Sequence, residues 1–307
     1  MKALPRQGES EKITENQHVK PKALMLIRRN QRFLNHSPKK SFIWEETMPF
    51  LYETHLHTCQ ASACGVSTGR EHARFYRERG FTGIIMTDHF FGGNTRIDRE
   101  LPWEKRIDLF WSGYEDAKEE GDRIGLDVFF GLEQNYAGDE YLIYGLTKEY
   151  MKAHPEMEHW TRRQQLEEVH RAGGCVVQAH PFRMRGYMNR IHLGLRFCDA
   201  IEVANAGNEP LDDARAWRYG QEYGLIMTAG TDNHHSPRET LFGVWLEKRL
   251  TSIADYVTII RNKSPIVLHI PEGRLALPEH AEIDERHQAF FLDEMERDVP
   301  AGKEWNV

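Results

Sequence analysis

The sequence lacks the features that mark several common classes of protein. No apolar run approaches the roughly 20 residues that a bilayer-spanning helix needs, and no secretory signal peptide is recognisable. Its four cysteines, Cys59, Cys64, Cys175 and Cys198, are too few and too scattered for a disulfide framework. Because 40 Lys and Arg residues are outnumbered by 47 Asp and Glu residues, the overall charge does not favour binding of duplex DNA. We therefore expect a soluble, cytoplasmic globular protein.

The first 47 residues differ in composition from the rest of the chain. They hold ten Lys and Arg residues against five Asp and Glu residues, and their one short apolar run covers residues 23–27. Such a segment buries too little apolar surface to offset the entropy lost on ordering. We predict that residues 1–47 form a disordered or loosely docked extension. Two alternatives are that Met48 is the true start and that the segment is a basic arm for nucleic acid.

From residue 49 to residue 263, short apolar runs alternate with amphipathic stretches, which is the pattern of βα units. Strands are predicted at residues 50–56, 83–87, 128–132, 141–145, 175–179, 200–204 and 225–229, with 242–246 as a weaker eighth. So many strands within about 220 residues favour a closed or nearly closed α/β barrel. We assign residues 48–263 to this barrel and residues 264–307 to a C-terminal appendage, in which residues 283–296 are predicted to form an amphipathic helix.

Side chains of the kind that bind metals follow five of the predicted strands. The first strand carries His55 and His57, which lie two residues apart and therefore point to the same side of a strand. Four later strand ends supply His89, Glu133, His180, Asp232 and His234. In a parallel barrel the carboxyl ends of all strands open onto one rim. Because imidazole and carboxylate ligands suit zinc, manganese or iron, the sequence predicts a metal site at this rim.

The short motifs around these residues are those of a known family. In chain order they are Glu53-Thr-His-Leu-His57, Thr87-Asp-His89, Gly131-Leu-Glu133, His180-Pro181, Ile201-Glu-Val203 and Gly230-Thr-Asp-Asn-His234. Their order and residue types resemble the polymerase and histidinol phosphatase (PHP) superfamily of metal-dependent phosphoesterases. The resemblance implies a distorted (β/α)7-type barrel, a PHP-like relative of the TIM barrel, that holds two or three divalent metal ions.

The same resemblance implies how the ligands are divided among the ions. One ion would be held by His55, His57, Glu133 and Asp232. A second would share Glu133 and take His180. A third would be held by His89, His234 and a residue shortly after the first strand.

Two departures from the family pattern affect these assignments. Where many members carry an Asp or His after the first strand, this chain has Cys64, which either ligates the third ion as a thiolate or packs as a small buried residue. The strand at 141–145 lacks the histidine that the family often supplies to the second ion. Water, substrate or Glu140 would then complete that site.

Three arginines follow the strand predicted at residues 175–179, whose end carries His180. The loop after His180 contains Arg183, Arg185 and Arg190, and guanidinium groups match the oxygens of phosphate. We predict substrate contacts for Arg183 and Arg185, with Arg183 favoured because it lies nearest to His180 in the chain.

Three carboxylates are expected to take part in catalysis, and one more to support it. Asp88, Glu133 and Asp232 are the predicted catalytic residues, with Asp88 more suited to supporting a ligand than to binding metal directly. Glu202 lies within a predicted strand and is expected to orient a ligand or line the pocket.

The sequence thus favours a cytoplasmic metal-dependent phosphoesterase. The expected reaction is hydrolysis of a small phosphate ester or nucleotide by a metal-bridging hydroxide, without a side-chain nucleophile. The only nucleic-acid partners compatible with this reading are short nucleotides, no membrane association is expected, and the oligomeric state stays open. Two alternatives remain. One is a hydrolase of the amidohydrolase kind, whose mark would be a metal-bridging lysine that these strand ends lack, and the other is a non-enzymatic metal-binding regulatory module.

Overall fold

A computed structural model of the protein describes residues 49–276 and 288–302. The predicted extension at residues 1–47 and the alternative start at Met48 lie outside the described residues. All of the described residues belong to one compact unit.

Twelve strands and six α-helices are defined in this part of the chain. The strands are β1 (Phe50–Glu53), β2 (Gly83–Met86), β3 (Asp127–Tyr136), β4 (Asp139–Tyr144), β5 (Cys175–Gln178), β6 (Arg190–Leu193), β7 (Ala200–Asn205), β8 (Ile226–Gly230), β9 (Gly243–Leu246), β10 (Val267–His269), β11 (Gln288–Leu292) and β12 (Asp298–Pro300). The helices are α1 (Gly69–Glu78), α2 (Trp103–Ile124), α3 (Lys148–Ala153), α4 (Arg162–Arg171), α5 (Pro210–Tyr223) and α6 (Ile253–Arg261), with a 3-10 helix at Pro155–His159. Within the described ranges, every helix is too short or too polar to span a bilayer.

Nine of the strands form one sheet in the order β10-β9-β1-β2-β3-β4-β5-β7-β8. The chain that follows β1 returns to the chain that follows β8, where Leu56 bridges Asn233 in parallel and the amide of His57 donates to the carbonyl of Asn233 at 3.0 Å. The sheet therefore curls into a nearly closed barrel in which β1 to β5, β7 and β8 surround the interior. This architecture confirms the predicted distorted α/β barrel.

Local sequence explains where the elements begin and end. The strands β2, β5 and β7 are buried along their whole length, as expected for strands covered on both faces. The helix α1 begins with a capping box between Thr68 and Glu71. Gly125 and Gly224 end α2 and α5 with φ angles of 73° and 62°, a region that favours glycine.

The predicted alternation of strands and helices fails between β3 and β4. These strands form an antiparallel hairpin, whose turn has positive φ at Ala137 (55°) and Gly138 (114°). Because β3 continues to Tyr136, Glu133 lies within the strand and not after it, which corrects the predicted boundary at residue 132. The hairpin also reverses β4, so the start of β4, where Glu140 lies, reaches the rim.

The C-terminal residues extend both sheets of the molecule. The strand β10 pairs with β9 in the barrel sheet, whereas β11 pairs with β6 and β12 to form a second sheet of three strands. The helix predicted at residues 283–296 is wrong where it is described, because Gln288–Leu292 is a strand. Phenylalanines at positions 290 and 291 favour a pleated strand that packs against a neighbouring sheet.

The helix α2 packs closely against the residues that follow β1 and β2 at the rim of the barrel. A Cβ atom added at Gly113 in α2 would lie 2.2 Å from Thr58 Oγ1 and 3.0 Å from Asp88 Oδ2. We expect Gly113→Ala to lower the free energy of unfolding by about 1–3 kcal/mol, since overpacking forces these buried groups to move. Urea denaturation measures this, with Lys105→Ala on an exposed face of α2 as the control. An unchanged urea midpoint for Gly113→Ala would contradict the expectation.

Candidate metal centre

Four side chains from three parts of the barrel converge at the rim. His55 Nε2 and His57 Nε2 lie 3.1 Å apart, and His55 Nε2 lies 3.2 Å from Glu133 Oε1. Asp232 Oδ1 lies 3.0 Å from His57 Nε2 and 3.6 Å from His55 Nε2. Tetrahedral ligands about 2.0 Å from a zinc ion are separated by roughly 3.3 Å. The separations between the histidine nitrogens, and from them to the carboxylate oxygens of Glu133 and Asp232, therefore match those between ligands of one such ion.

A buried carboxylate holds the backbone that presents the histidines. Glu53 Oε1 accepts hydrogen bonds from the amides of Thr54, His55 and Thr231, and Glu53 Oε2 accepts one from the Tyr76 hydroxyl. Burial raises the pKa of Glu53 to about 7, although these hydrogen bonds oppose the rise. Glu53 thus ties the end of β1 to the end of β8.

A second group of ligand-type atoms shares Glu133. His89 Nδ1 lies 2.6 Å from Glu133 Oε2, and His180 Nε2 lies 3.4 Å from Glu133 Oε1. The carboxylate of Glu140 is 3.4 Å from His180 Nε2 and 3.9 Å from His89 Nδ1. Glu140, one of three groups considered from the sequence for the missing family histidine, is therefore in a position to act as a ligand.

A third group surrounds the ring of His57. His57 stacks between two other histidines, with its ring centroid 4.2 Å from that of His89 and 4.3 Å from that of His234. These three histidines could hold one ion. The thiol of Cys64 contacts both His234 and His89. Burial raises the pKa of this thiol, but these two contacts outweigh burial and lower it to about 6. The structure thus brings Cys64 beside two of these three histidines.

The backbone is strained at two of the candidate ligands. His180 has a φ of 27° and Asp232 has a φ of 54°, values that side chains larger than glycine adopt rarely. Each residue lies two positions after the end of a strand, β5 for His180 and β8 for Asp232. Such strain often accompanies functional positions, where the surrounding structure holds a side chain in a required direction.

Several buried polar atoms in these groups lie close to one another without the geometry of a regular hydrogen bond. They are both carboxylate oxygens of Glu133, Nδ1 of His89 and Nε2 of His180. Burial raises the pKa of Glu133, but His89 and His55 outweigh it and hold that pKa well below its usual range. Likewise burial raises the pKa of Asp232, while His55 and Arg183 bring it well below normal. Buried anionic oxygens and ring nitrogens that face one another in this way fit divalent cations.

The predicted catalytic residue Asp88 lies behind the ligands. Its carboxylate accepts hydrogen bonds from the amide and hydroxyl of Thr58 at 2.6 and 2.8 Å and from the Ser62 hydroxyl at 2.6 Å. Ser62 Oγ lies 3.3 Å from His57 Nδ1 and accepts a hydrogen bond from the amide of His89. The geometry suits Asp88 to orienting His57 and His89 through Ser62.

A cleft of about 300 Å³ opens over the ligands. It is lined by Cys64, His89, Asn94, Arg183, Arg185, Gly207, Asp232 and His234. Arg183 Nη1 donates to Asp232 Oδ2 at 2.5 Å, and Arg185 pairs with Glu140. Arg190, the third arginine noted in the sequence, lies in β6 and pairs with Asp298.

Sequence reasoning missed two amides that hold Arg183. Asn205 Oδ1 accepts from Arg183 Nη2 at 2.5 Å, and Asn208 Oδ1 accepts from Arg183 Nε at 2.6 Å. An asparagine at or after a strand end commonly stabilises a turn. The sequence therefore carries no signal that distinguishes an asparagine that holds an arginine from one that stabilises a turn.

Several solved structures align with this fold. A two-domain protein from Bacteroides vulgatus that contains a predicted PHP-like metal-dependent phosphoesterase aligns with a TM-score of 0.50 and 15% identity, over 72% of this chain and 64% of that protein. A protein from Bifidobacterium adolescentis, provisionally assigned as a metal-dependent phosphoesterase, aligns with a TM-score of 0.46 and 16% identity, over 68% and 96%. An amidohydrolase from Chromobacterium violaceum with bound sulfate and no metal aligns with a TM-score of 0.41 and 14% identity, over 61% and 88%.

These similarities concern the fold. The first alignment has a TM-score of 0.50 at low identity and covers less than two thirds of that protein, so it supports a shared PHP-like barrel and not a shared activity. No protein-family model and no curated protein matches the sequence. The PHP-like fold expected from the sequence motifs is confirmed.

Proposed function

We propose that this protein is a metal-dependent hydrolase of small phosphate esters, including nucleotides. The observation that carries the proposal is the convergence of His55, His57, Glu133 and Asp232. Ring nitrogens of the two histidines lie 3.0–3.6 Å from each other and from oxygens of both carboxylates. Zinc, manganese and iron all suit this mixture of imidazole and carboxylate. A cytoplasmic location is part of the proposal, and it is supported by four cysteines that are all free thiols.

Two or three divalent ions would be held by the three groups of ligands. His55, His57, Glu133 and Asp232 would hold the first. Glu133 would be shared with a second ion bound by His180 and Glu140. When bound, such ions activate a water near neutral pH and offset negative charge on phosphate oxygens.

The third ion would complete the arrangement at the mouth of the cleft. His89, His234 and Cys64 would bind it, with the thiol as thiolate. The role of the protein at all three positions is to fix the ligands. Glu202 Oε1 lies 3.0 Å from His55 Nδ1, and Ser62 Oγ lies 3.3 Å from His57 Nδ1.

Phosphate is favoured over an uncharged substrate by the two arginines that line the cleft. Three donors of Arg183 are held by Asp232, Asn205 and Asn208, so its guanidinium is fixed before substrate arrives. Arg185 pairs with Glu140 at the same cleft. Guanidinium groups fixed beside a metal cluster would bind the oxygens of a phosphoryl group and stabilise the charge that develops on those oxygens.

A panel of substrates tests this assignment. Protein loaded with manganese, zinc or iron should hydrolyse an aryl phosphate and at least one phosphomonoester or nucleotide. Hydrolysis of amides or cyclic amides without hydrolysis of phosphate esters would favour the amidohydrolase alternative. Metal binding with no turnover of either class would favour a regulatory module.

Substitution of Cys64 tests the third ion. If the thiolate is a ligand, Cys64→Ser should lower the bound metal by up to one equivalent and weaken hydrolysis, whereas Cys64→Asp should restore both. If Cys64 only packs, Ser should have little effect and Asp should be damaging, because a partly buried carboxylate without a cation is costly. Elemental analysis and aryl phosphate turnover of both variants decide, and a silent Ser with an inactive Asp contradicts three ions.

A further inference from the structure

Hydrogen bonds connect the candidate metal ligands to Arg183 in the cleft through two side chains that are not candidate ligands, Glu202 and Asn205. His55 Nδ1 lies 3.0 Å from Glu202 Oε1, and Asn205 Nδ2 donates to Glu202 Oε2 at 2.9 Å. Asn205 Oδ1 accepts from Arg183 Nη2, and Arg183 Nη1 donates to Asp232 Oδ2, both at 2.5 Å. Asp232 Oδ1 returns to within 3.6 Å of His55 Nε2. The five side chains form a closed ring.

An irregularity in β7 makes this ring feasible. Glu202 and Asn205 are three residues apart, so a regular strand would direct them to opposite faces of the sheet. The pairing of β7 with β8 shifts register between Glu202 and Ala204. A β-bulge of this kind redirects a side chain, and here it turns both polar groups toward the barrel interior.

The chemistry of each partner fixes the orientation of the Asn205 amide. A carboxylate requires the nitrogen as donor, and a guanidinium requires the oxygen as acceptor. Asn205 is fully buried, so an aliphatic replacement would leave polar groups on both sides without a partner. Its oxygen also accepts from the amide of Gly207 at 2.8 Å, which places that glycine against the arginine.

We propose that Asn205 is a positioning residue that orients two groups together, the metal ligand His55 through Glu202 and the phosphate-binding guanidinium of Arg183. The inference rests on the proposed function for the role of Arg183. It predicts that a change at Asn205 alters metal affinity and substrate binding at once, although Asn205 is not a candidate metal ligand and does not line the cleft.

Asn208 supplies a matched control within the same site. Its oxygen accepts from Arg183 Nε at 2.6 Å, and its nitrogen donates to Asp213 Oδ1 at 2.7 Å. Asp213 pairs with Arg274 at 2.7 Å and accepts from the backbone amide of Asn205 at 3.2 Å. Both asparagine side chains therefore bridge Arg183 and a buried carboxylate, but only Glu202, which accepts from the Asn205 side chain, contacts a candidate metal ligand.

Two quantities are measured for Asn205→Ala and Asn208→Ala. Zinc affinity is measured by competition with a chelator, and the KM is measured with an aryl phosphate. Loss of a group that orients a ligand typically weakens metal binding about 10- to 100-fold. We expect such a loss, with a raised KM, for Asn205→Ala. For Asn208→Ala we expect a raised KM with zinc affinity within about threefold of wild type, since the carboxylate behind it does not orient a ligand.

A second pair of variants isolates the bond to Glu202. Asn205→Asp and Asn208→Asp add the same charge, keep an acceptor for Arg183 and remove only the donor to the carboxylate. Asn205→Asp should weaken zinc binding and Asn208→Asp should not. The melting temperature of each metal-free variant identifies any that fail to fold.

Equal losses of zinc affinity in the two members of either pair, or no loss in any variant, would overturn the inference. If wild-type protein hydrolyses no phosphate ester, the proposed function and the KM arm fail together. A selective loss of zinc affinity in the Asn205 variants would then still support the orientation of His55.

Discussion

Glu133→Gln is expected to lower kcat/KM for a phosphate ester at least about a thousandfold, which corresponds to about 4 kcal/mol of transition-state stabilisation. Glu133 is the carboxylate shared by the first two ligand groups, and it lies within 3.6 Å of nitrogens on His55, His57, His89 and His180. The amide has nearly the same shape but carries no charge and offers only one acceptor oxygen. The substitution therefore removes the bridge between two ions with little change in packing.

The reduction should appear together with a loss of bound metal, measured by elemental analysis after dialysis. Glu120→Gln is the matched control, because Glu120 is a buried carboxylate on α2 that pairs with Arg74 and Arg123 and not with any candidate ligand. It should keep full metal content and activity. A Glu133→Gln variant that retains more than a tenth of wild-type kcat/KM would remove Glu133 from the site.

Arg183→Lys is expected to raise the KM for a phosphate ester about 100-fold. Lysine keeps the positive charge, but its ammonium group cannot reach Asp232, Asn205 and Asn208 in the directions that the guanidinium fork occupies. The substituted side chain would lose both its fixed position and its paired contact with phosphate oxygens. The expected loss is about 2.7 kcal/mol, within the range of a strong charge-assisted contact.

Steady-state kinetics on an aryl phosphate measure this effect, and Arg190→Lys provides the control. Arg190 follows the same loop, but it is exposed in β6 and pairs with Asp298, so its substitution should change KM less than twofold. If Arg183→Lys has no larger effect than Arg190→Lys, substrate does not bind at Arg183.

Much of the site could be predicted because of one geometric rule. In parallel strands the carboxyl ends share a rim, so residues that follow β1, β2, β5 and β8 could be placed together from the sequence. The structure brings His55, His57, His89, His180, Asp232 and His234 together as that rule requires. The apolar runs of the strands were also readable, because fully buried strands are continuously hydrophobic.

The rest depended on features that leave little trace in the sequence. The hairpin between β3 and β4 reverses one strand, so Glu140 reaches the rim from a strand start, where the rule does not apply. The bulge in β7 places Asn205 beside Glu202 against the normal alternation. Residues 288–292 have a spacing compatible with a helix, yet they pair with β6, because tertiary packing overrides a weak local preference.

Titration of metal into metal-free protein, with bound metal and aryl phosphate hydrolysis followed in the same samples, tests the central claim most directly. We expect more than one equivalent of zinc or manganese to bind, since the candidate ligands outnumber those that one ion uses once Glu133 is shared. Hydrolysis should be absent at the start and should rise as the sites fill. A correctly folded protein that binds no zinc, manganese or iron, or that hydrolyses the ester equally well after the metal has been removed, would contradict the account.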